Sequence, residues 1–258
     1  MKSYKGYLLD LDGTMYKGTE RIDAGKKLVD RLAEAGIPYI FVTNNSSKRP
    51  DQVAEKLKQM ELRAAEQNVM TTSMAAAKYI RQTFGKVNVY VIGEEGLRDA
   101  VEAEGLFLSE ERADVVIVGL DREITYEKLA KACLFVRAGA AFLSTNADKA
   151  IPTERGLLPG NGSLTSVVRV STGIEPKYIG KPEAVIMEQA LEALGTAKED
   201  TIMVGDNYDT DIQAGIRAGM DTLMVFTGVT TKEELIKEVK QPTWQVKSLD
   251  EWEVFKNE

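Results

Sequence analysis

The sequence predicts an α/β fold: a doubly wound, mostly parallel sheet interrupted by an inserted second α/β unit. Three observations predict it. Short apolar runs alternate with helical patterns along most of the 258 residues, which is the signature of βαβ units. Gly36, Gly105, Gly173, Gly195 and Gly219 each follow a helical stretch, where a C-terminal cap is expected. The stretch from about 86 to 176 carries its own strand–helix alternation and a loop region with glycine and proline at 148–162. No low-complexity linker sets it apart, so an insertion joined by two crossing connections is the economical reading.

The strand candidates, in order, are 6–9, 39–42, 87–92, 115–118, 141–143, 201–204 and 222–226. Each is a short apolar run bounded by polar or turn-forming residues. Helical patterns lie between them near 24–35, 50–60, 73–84, 96–104, 126–138, 164–172, 182–194 and 209–218. Pro182 is expected at the first helical position of its helix, where a missing N–H costs nothing.

Composition narrows the function. Apolar content of 43% and charged content of 28% fit a globular protein with a substantial core. A net charge of −7 without a dense Lys/Arg cluster argues against a nucleic-acid partner. The first apolar run is short and broken by Asp10, unlike a signal peptide, and no run nears the ~18 residues of a membrane span. These features predict a cytoplasmic protein with no membrane partner. Cys133 is the one cysteine and sits in an apolar helical stretch, so it is expected as a small core residue. The chain has no histidine. That removes Ser-His-Asp and Cys-His catalysis and His-ligated zinc or iron. Any metal would be held mostly by oxygen ligands, which favours Mg²⁺, Mn²⁺ or Ca²⁺.

In a parallel α/β sheet, ligands bind beyond the carboxyl ends of the strands. Three strand-to-loop junctions are polar in an unusual way: Asp10-Leu11-Asp12-Gly13-Thr14, Thr43-Asn44-Asn45-Ser46-Ser47, and Gly205-Asp206-Asn207-Tyr208-Asp209-Thr210-Asp211. The fold would bring them to one sheet edge. Clustered carboxylates there repel one another unless a divalent cation or a shared proton intervenes. Side-chain oxygens of Asp10 and Asp206 and the backbone carbonyl of Asp12 offer ligands of the kind Mg²⁺ takes beside a substrate phosphate. Lys181, in Gly180-Lys181-Pro182, stands before a helical pattern and is a candidate anion partner. The chemical hypothesis is that Lys181 and Thr43 hold a phosphoryl group while Asp10 attacks phosphorus. Asp12 protonates the leaving oxygen and later activates water.

Each signal alone has an ordinary reading. An isolated Asp-x-Asp is usually a turn, Thr43 to Ser47 reads as a helix-cap region, and Gly180-Lys181-Pro182 is a common loop-to-helix junction. Gly205 to Asp211 fails the spacing of an EF-hand at Tyr208. Gly160-Asn161-Gly162 resembles the start of a dinucleotide fingerprint, but Thr165 stands where the third glycine belongs and 156–159 is not a clear strand. The acidic pairs Glu94-Glu95 and Glu110-Glu111 are expected on solvated surface.

Taken in order, D-x-D-G-T, T-N-N, G-K-P and G-D-N-x-x-T-D resemble the haloacid dehalogenase superfamily of aspartyl-phosphate phosphatases. T-N-N-S-S and the large insertion before Gly180 resemble its NagD-like, p-nitrophenyl phosphatase branch (class IIA, with a large α/β cap). The likeness runs from Leu8 to about Val229. It implies a Rossmann-like hydrolase core over 1–84 and 178–258 and an inserted α/β cap over 85–177. It implies Asp10 as nucleophile, Asp12 as acid and base, and Mg²⁺ on Asp10, the Asp12 carbonyl and Asp206, with Asp211 supporting the metal directly or through water. Phosphate contacts are implied for Thr43, Asn44 and Lys181.

In that branch the cap reads the substrate. Thr145, Asn146 and Asp148, followed by Pro152 and Pro159-Gly160, resemble its specificity segment. Relatives that prefer pyridoxal phosphate carry a histidine there. Here Ile151 lies close to the matching place, which favours small sugar phosphates. The expected activity is Mg²⁺-dependent hydrolysis of a small phosphorylated metabolite, with p-nitrophenyl phosphate as an artificial substrate. Phosphoryl transfer to a second sugar hydroxyl, as in mutases, and phosphometabolite binding without turnover are the alternatives. An apolar cap face leaves a homodimer open.

Overall fold

The computed structural model describes residues 2–153 and 155–254. Position 1 and positions 255–258 of the expected core segments lie outside them. The structure is a mostly parallel α/β fold, and the chain divides into two compact units: 1–43, 51–70 and 181–258 in the first, 44–50 and 71–180 in the second. The sequence placed the division at 84/85 and 177/178. The contacts group the helix Thr72–Phe84 and the segment 44–50 with the second unit instead.

The first unit holds a six-stranded sheet in the order Trp244–Val246, Asp221–Val225, Thr201–Gly205, Gly6–Leu9, Tyr39–Thr43, Val69–Thr71. The chain builds one side of Gly6–Leu9 first and the other side only after the second unit. The reversal therefore falls between Gly6–Leu9 and Thr201–Gly205, which pair in parallel with Leu9 opposite Val204. Ligand sites of doubly wound sheets lie beyond the carboxyl ends of the two strands at such a reversal. Here those strands deliver Asp10 and Asp206.

Burial explains why the strands read as unbroken apolar runs: helices cover both faces of a parallel sheet. Leu8, Leu9, Phe41, Val42, Met203 and Val204 are fully enclosed. Truncating such a side chain to alanine typically costs ~2–5 kcal/mol. The helix Asp23–Ala35 buries Ala24, Leu28 and Leu32, one residue per turn, and stops at Gly36, whose φ of 69° is left-handed backbone that glycine adopts without a steric penalty. At the far edge Trp244 Nε1 donates to the Tyr4 hydroxyl at 2.7 Å and Trp252 Nε1 to the Tyr7 hydroxyl at 3.2 Å. Trp252 is buried and Trp244 half-buried, each with its polar atom satisfied.

The second unit holds a five-stranded sheet in the order Lys177–Tyr178, Ala141–Ser144, Val115–Val118, Asn88–Ile92, Phe107–Leu108. All four pairings are parallel. Its core includes Tyr90, Ile92, Val116, Val118, Phe142 and Val168 together with Cys133, a buried free thiol as the sequence suggested.

Several expectations need correction. The helix near 182 starts at Ala184, with Glu183 as its N-cap, so Pro182 is not its first residue. The helix near 164 starts earlier, at Asn161. Residues 156–159 do form a strand, but in an antiparallel hairpin with Ala150–Thr153, not in a βαβ unit. The pattern at 209–218 resolves into a wide π-type turn over Tyr208–Ile212 followed by Gln213–Ala218. Among the described residues no helix is long and apolar enough to cross a membrane.

Candidate active site

The first strand ends by handing Asp10 to a buried position. Its N–H still donates to Val204 O at 2.9 Å, so the backbone stays in register with the neighbouring strand. The chain then turns at once, since Met15 N and Tyr16 N both donate back to Leu11 O. Gly13 makes the turn with a φ of 91°, and a Cβ there would lie 2.4 Å from the Asp206 carboxylate. Only glycine meets both demands. The Thr14 hydroxyl lies 3.2 Å from Asp10 Oδ2 and 3.1 Å from Asp206 Oδ1, linking the two junctions.

Asp206 follows Thr201–Gly205 and is fully enclosed. Its Oδ2 accepts from Val229 N at 2.7 Å, and its backbone carbonyl accepts from Thr230 N at 3.1 Å. The Thr227 hydroxyl closes the same loop onto Gly13 O at 2.5 Å. A Cβ on Gly228 would come within 1.9 Å of Asp206 Oδ2, so that glycine also makes room for the carboxylate.

Asp211 is the third acid, held in the wide turn where its Oδ2 accepts from Asn207 N at 3.1 Å. Carboxylate oxygens of Asp10, Asp206 and Asp211 all lie within 4.8 Å of one another, and all three residues are buried. Lys181 is 3% exposed and stands between two of them. Its Nζ pairs with Asp10 Oδ1, lies 2.7 Å from Asp211 Oδ1, and donates to Val42 O at 3.1 Å.

The electrostatics are unbalanced. Three carboxylates face one ammonium, which leaves two negative charges without a partner if all are ionised. Burial first, and then the Asp211 charge, hold Asp10 well above the usual carboxylate range in spite of Lys181. Burial and Asp211 push Asp206 up to about 6, against the Val229 N–H and the Thr14 hydroxyl, which favour its charged form. For Lys181, burial works against the charge, but Asp10 and Asp211 outweigh it and raise its pKa above the ordinary lysine value. A divalent cation fits this donor set: hard oxygen ligands, a net deficit of two positive charges, and glycines in place of side chains around Asp206.

The other expected residues fall as follows. Asp12 is exposed, and its carboxylate is not part of the buried cluster. Thr43 is half-buried and ends its strand one residue after Val42. Asn44 belongs to the second unit, where its Nδ2 donates to Asp148 Oδ1 at 3.3 Å. Thr145 and Asn146 are buried, Asp148 is half-buried with its N–H on Asn146 Oδ1 at 3.1 Å, and Ile151 lies in the Ala150–Thr153 strand. Sequence reasoning included Thr14 in the first junction without giving it a role, and did not single out the segment 227–230. The second could have been found by the rule used for the others, since it directly follows the buried strand Asp221–Val225.

Acids at the topological reversal of a parallel sheet, with a buried lysine among them, define an α/β protein of a class whose site suits a divalent cation and a phosphoryl group. Known proteins make the class specific. Residues 7–107 match the family described as haloacid dehalogenase-like hydrolase, and residues 178–252 match one described as HAD-hydrolase-like. The chain is 60% identical over 252 residues to 5'-nucleotidase YutF of Bacillus subtilis (strain 168), covering 98% of each. It is 53% identical over 252 residues to an acid sugar phosphatase of Staphylococcus aureus (strain USA300), covering 97% of each. Among solved structures, a mutant of the thermostable p-nitrophenylphosphatase from Bacillus stearothermophilus shares 56% identity at a TM-score of 0.91, over 99% of this chain and 100% of that one. The chain belongs to the haloacid dehalogenase-like hydrolases, and its relatives are consistent with the NagD-like branch. It is a phosphoric monoester hydrolase.

Proposed function

We propose that the protein is a Mg²⁺-dependent phosphatase that cleaves small phosphomonoesters, sugar phosphates among them, through an aspartyl-phosphate on Asp10. The observation that carries this reading is the placement of Asp10. It is buried at the sheet's reversal, paired with Lys181, and within reach of the carboxylates of Asp206 and Asp211.

A carboxylate oxygen of Asp10 attacks phosphorus, and the bond from phosphorus to the leaving oxygen breaks. Asp12 gives its proton to that oxygen. Its exposure suits the task, because it must meet substrate rather than brace the buried cluster. Water then attacks the phosphoryl group, Asp12 takes the proton back, and the bond between Asp10 and phosphorus breaks to release phosphate. Lys181 and Thr43 bind the phosphoryl oxygens, and the Lys181 ammonium favours the charged form of Asp10 against the burial that disfavours it. Asp10, Asp206 and the Asp12 carbonyl would hold Mg²⁺, with Asp211 supporting the set; bound there, it would supply positive charge that neutralises phosphoryl oxygens and buried carboxylates alike.

The printed names of the relatives support a small-ester substrate: one is called a 5'-nucleotidase and another an acid sugar phosphatase. Hydrolysis of p-nitrophenyl phosphate, glucose 6-phosphate and nucleoside monophosphates, with and without Mg²⁺, tests the reading. Asp10→Asn is expected to lose ~10⁴-fold or more in kcat. Acid quenching of the wild type should trap a phosphorylated chain. Equal turnover by Asp10→Asn would remove the nucleophile from the mechanism.

A further inference from the structure

The chain passes between its two units at 43/44, 50/51, 70/71 and 180/181. Two of those crossings lead directly into Thr43 and Lys181. On the second unit's side the residues next to the crossings are tied to one another. Asn44 O accepts from Thr72 Oγ1 at 3.1 Å and from Asn146 Nδ2 at 2.8 Å. Gly180 N donates to Thr145 O at 2.7 Å. A Cβ on Gly180 would lie 2.5 Å from Thr72 Cγ2 and 2.6 Å from Asn44 Oδ1, so the crossings pack at backbone distance.

This cluster is itself held from behind. Asn161 Nδ2 lies 2.9 Å from Ser144 Oγ, 3.1 Å from Thr145 Oγ1 and 2.8 Å from Asn146 O. Among the described residues, the buried Asn161 Oδ1 meets no hydrogen-bond partner. A buried acceptor left unsatisfied is unfavourable. Its retention here keeps one amide aimed at three consecutive residues of the loop that grips Asn44 and Gly180.

We propose that Thr72, Asn146 and Asn161 form a polar clasp that fixes the backbone beside Thr43 and Lys181 and so sets both residues for phosphate binding. The proposal rests on the reading of Thr43 and Lys181 as phosphate ligands. Thr72, Asn146 and Asn161 are positioning residues: they act through the backbone of Asn44 and Gly180, the residues that adjoin Thr43 and Lys181 in the chain. Misplacing a binding group by ~1 Å can cost on the order of 10²-fold in rate, so a loosened clasp is expected to be felt at a distance.

The test measures kcat/KM for p-nitrophenyl phosphate and the inhibition constant of inorganic phosphate in the full-length protein. Thr72→Val and Asn146→Ala should each weaken phosphate inhibition and kcat/KM by about 10-fold, and Thr72→Ser should stay within about 2-fold of wild type. Lys181→Ala serves as the reference and should abolish phosphate inhibition. If Lys181→Ala binds phosphate like wild type, the assignment of the ligands fails and the clasp fails with it. If Lys181→Ala behaves as expected but the folded Thr72→Val and Asn146→Ala proteins bind phosphate normally, whatever their melting temperatures, the clasp is overturned and the ligands stand.

Discussion

Each unit buries a polar cluster, and the two clusters are built on opposite principles. In the first unit Asp10, Asp206, Asp211 and Lys181 are ionic and out of balance. In the second, Ser144, Thr145, Asn146, Asn161 and Thr165 are neutral and largely satisfied by one another. A neutral network in a low dielectric stiffens a structure and specifies one arrangement. A charged, uncompensated one raises the free energy of the empty fold and is relieved by a ligand of the right sign. The difference separates a part that defines shape from a part prepared for a cation and a phosphoryl group.

The sharpest way to break this comparison is Asp12→Asn. The side chain of Asp12 stands outside the buried ionic cluster, and only its backbone carbonyl is assigned to the metal. Turnover of p-nitrophenyl phosphate should fall ~10²–10⁴-fold, the usual contribution of a general acid–base group. Mg²⁺ affinity, read from metal-dependent thermal stabilisation, should stay near wild type. A collapse of metal binding would mean that the carboxylate of Asp12 belongs with the ionic group and that the division of labour is wrong.

How much of this was legible in the sequence depends on the element. Gly6–Leu9 and Val115–Val118 were legible to the residue, because a strand covered on both faces must be apolar throughout. Asp10 and Asp206 were legible as a convergence, since charged residues at the ends of buried strands have few structural explanations. The short strands Val69–Thr71, Phe107–Leu108, Lys177–Tyr178 and Trp244–Val246 were not, because two or three residues carry no periodicity. The roles of Thr14 and the Val229 N–H were also invisible: a hydroxyl and a backbone donor acquire meaning only when folding aims them at Asp206. Lys181 was found for partly the wrong reason. It does not sit at a helix N-terminus, because the helix begins at Ala184. Its neighbours are Asp10, Asp211 and the Val42 carbonyl.

A smaller effect sharpens the ionic side of the comparison. With Asp206 at about 6 in the fold and near 3.8 when unfolded, the metal-free protein binds more protons folded than unfolded between those values. Stability from this group is therefore present at low pH and is lost as pH rises through about 6. Mg²⁺ competes with that proton, so its stabilising effect should be larger at pH ~7.5 than at pH ~5. Thermal melts of EDTA-treated protein, with and without added Mg²⁺ at both pH values, check the sign. A larger stabilisation at pH ~5 would show that Asp206 is not among the groups relieved by the metal.

The smallest effect is expected on the neutral side. Thr165 Oγ1 lies 2.8 Å from Ser144 Oγ, which also donates to Asn146 O at 3.0 Å and accepts from Asn161 Nδ2 at 2.9 Å. Thr165→Val removes one hydroxyl at nearly constant volume and leaves Ser144 with its other two partners. Replacing a neutral hydrogen bond whose partner stays satisfied costs roughly 0.5–1.5 kcal/mol, well below the cost of orphaning a buried charge. Denaturant melts should show that small loss, with the slope unchanged and with phosphatase activity of the folded protein within ~2-fold of wild type. The same removal at Thr14, which takes a hydroxyl from between two acids, should instead lower Mg²⁺ affinity. If the two threonines behaved alike, the neutral and ionic clusters would not differ in kind, and burial alone would account for both.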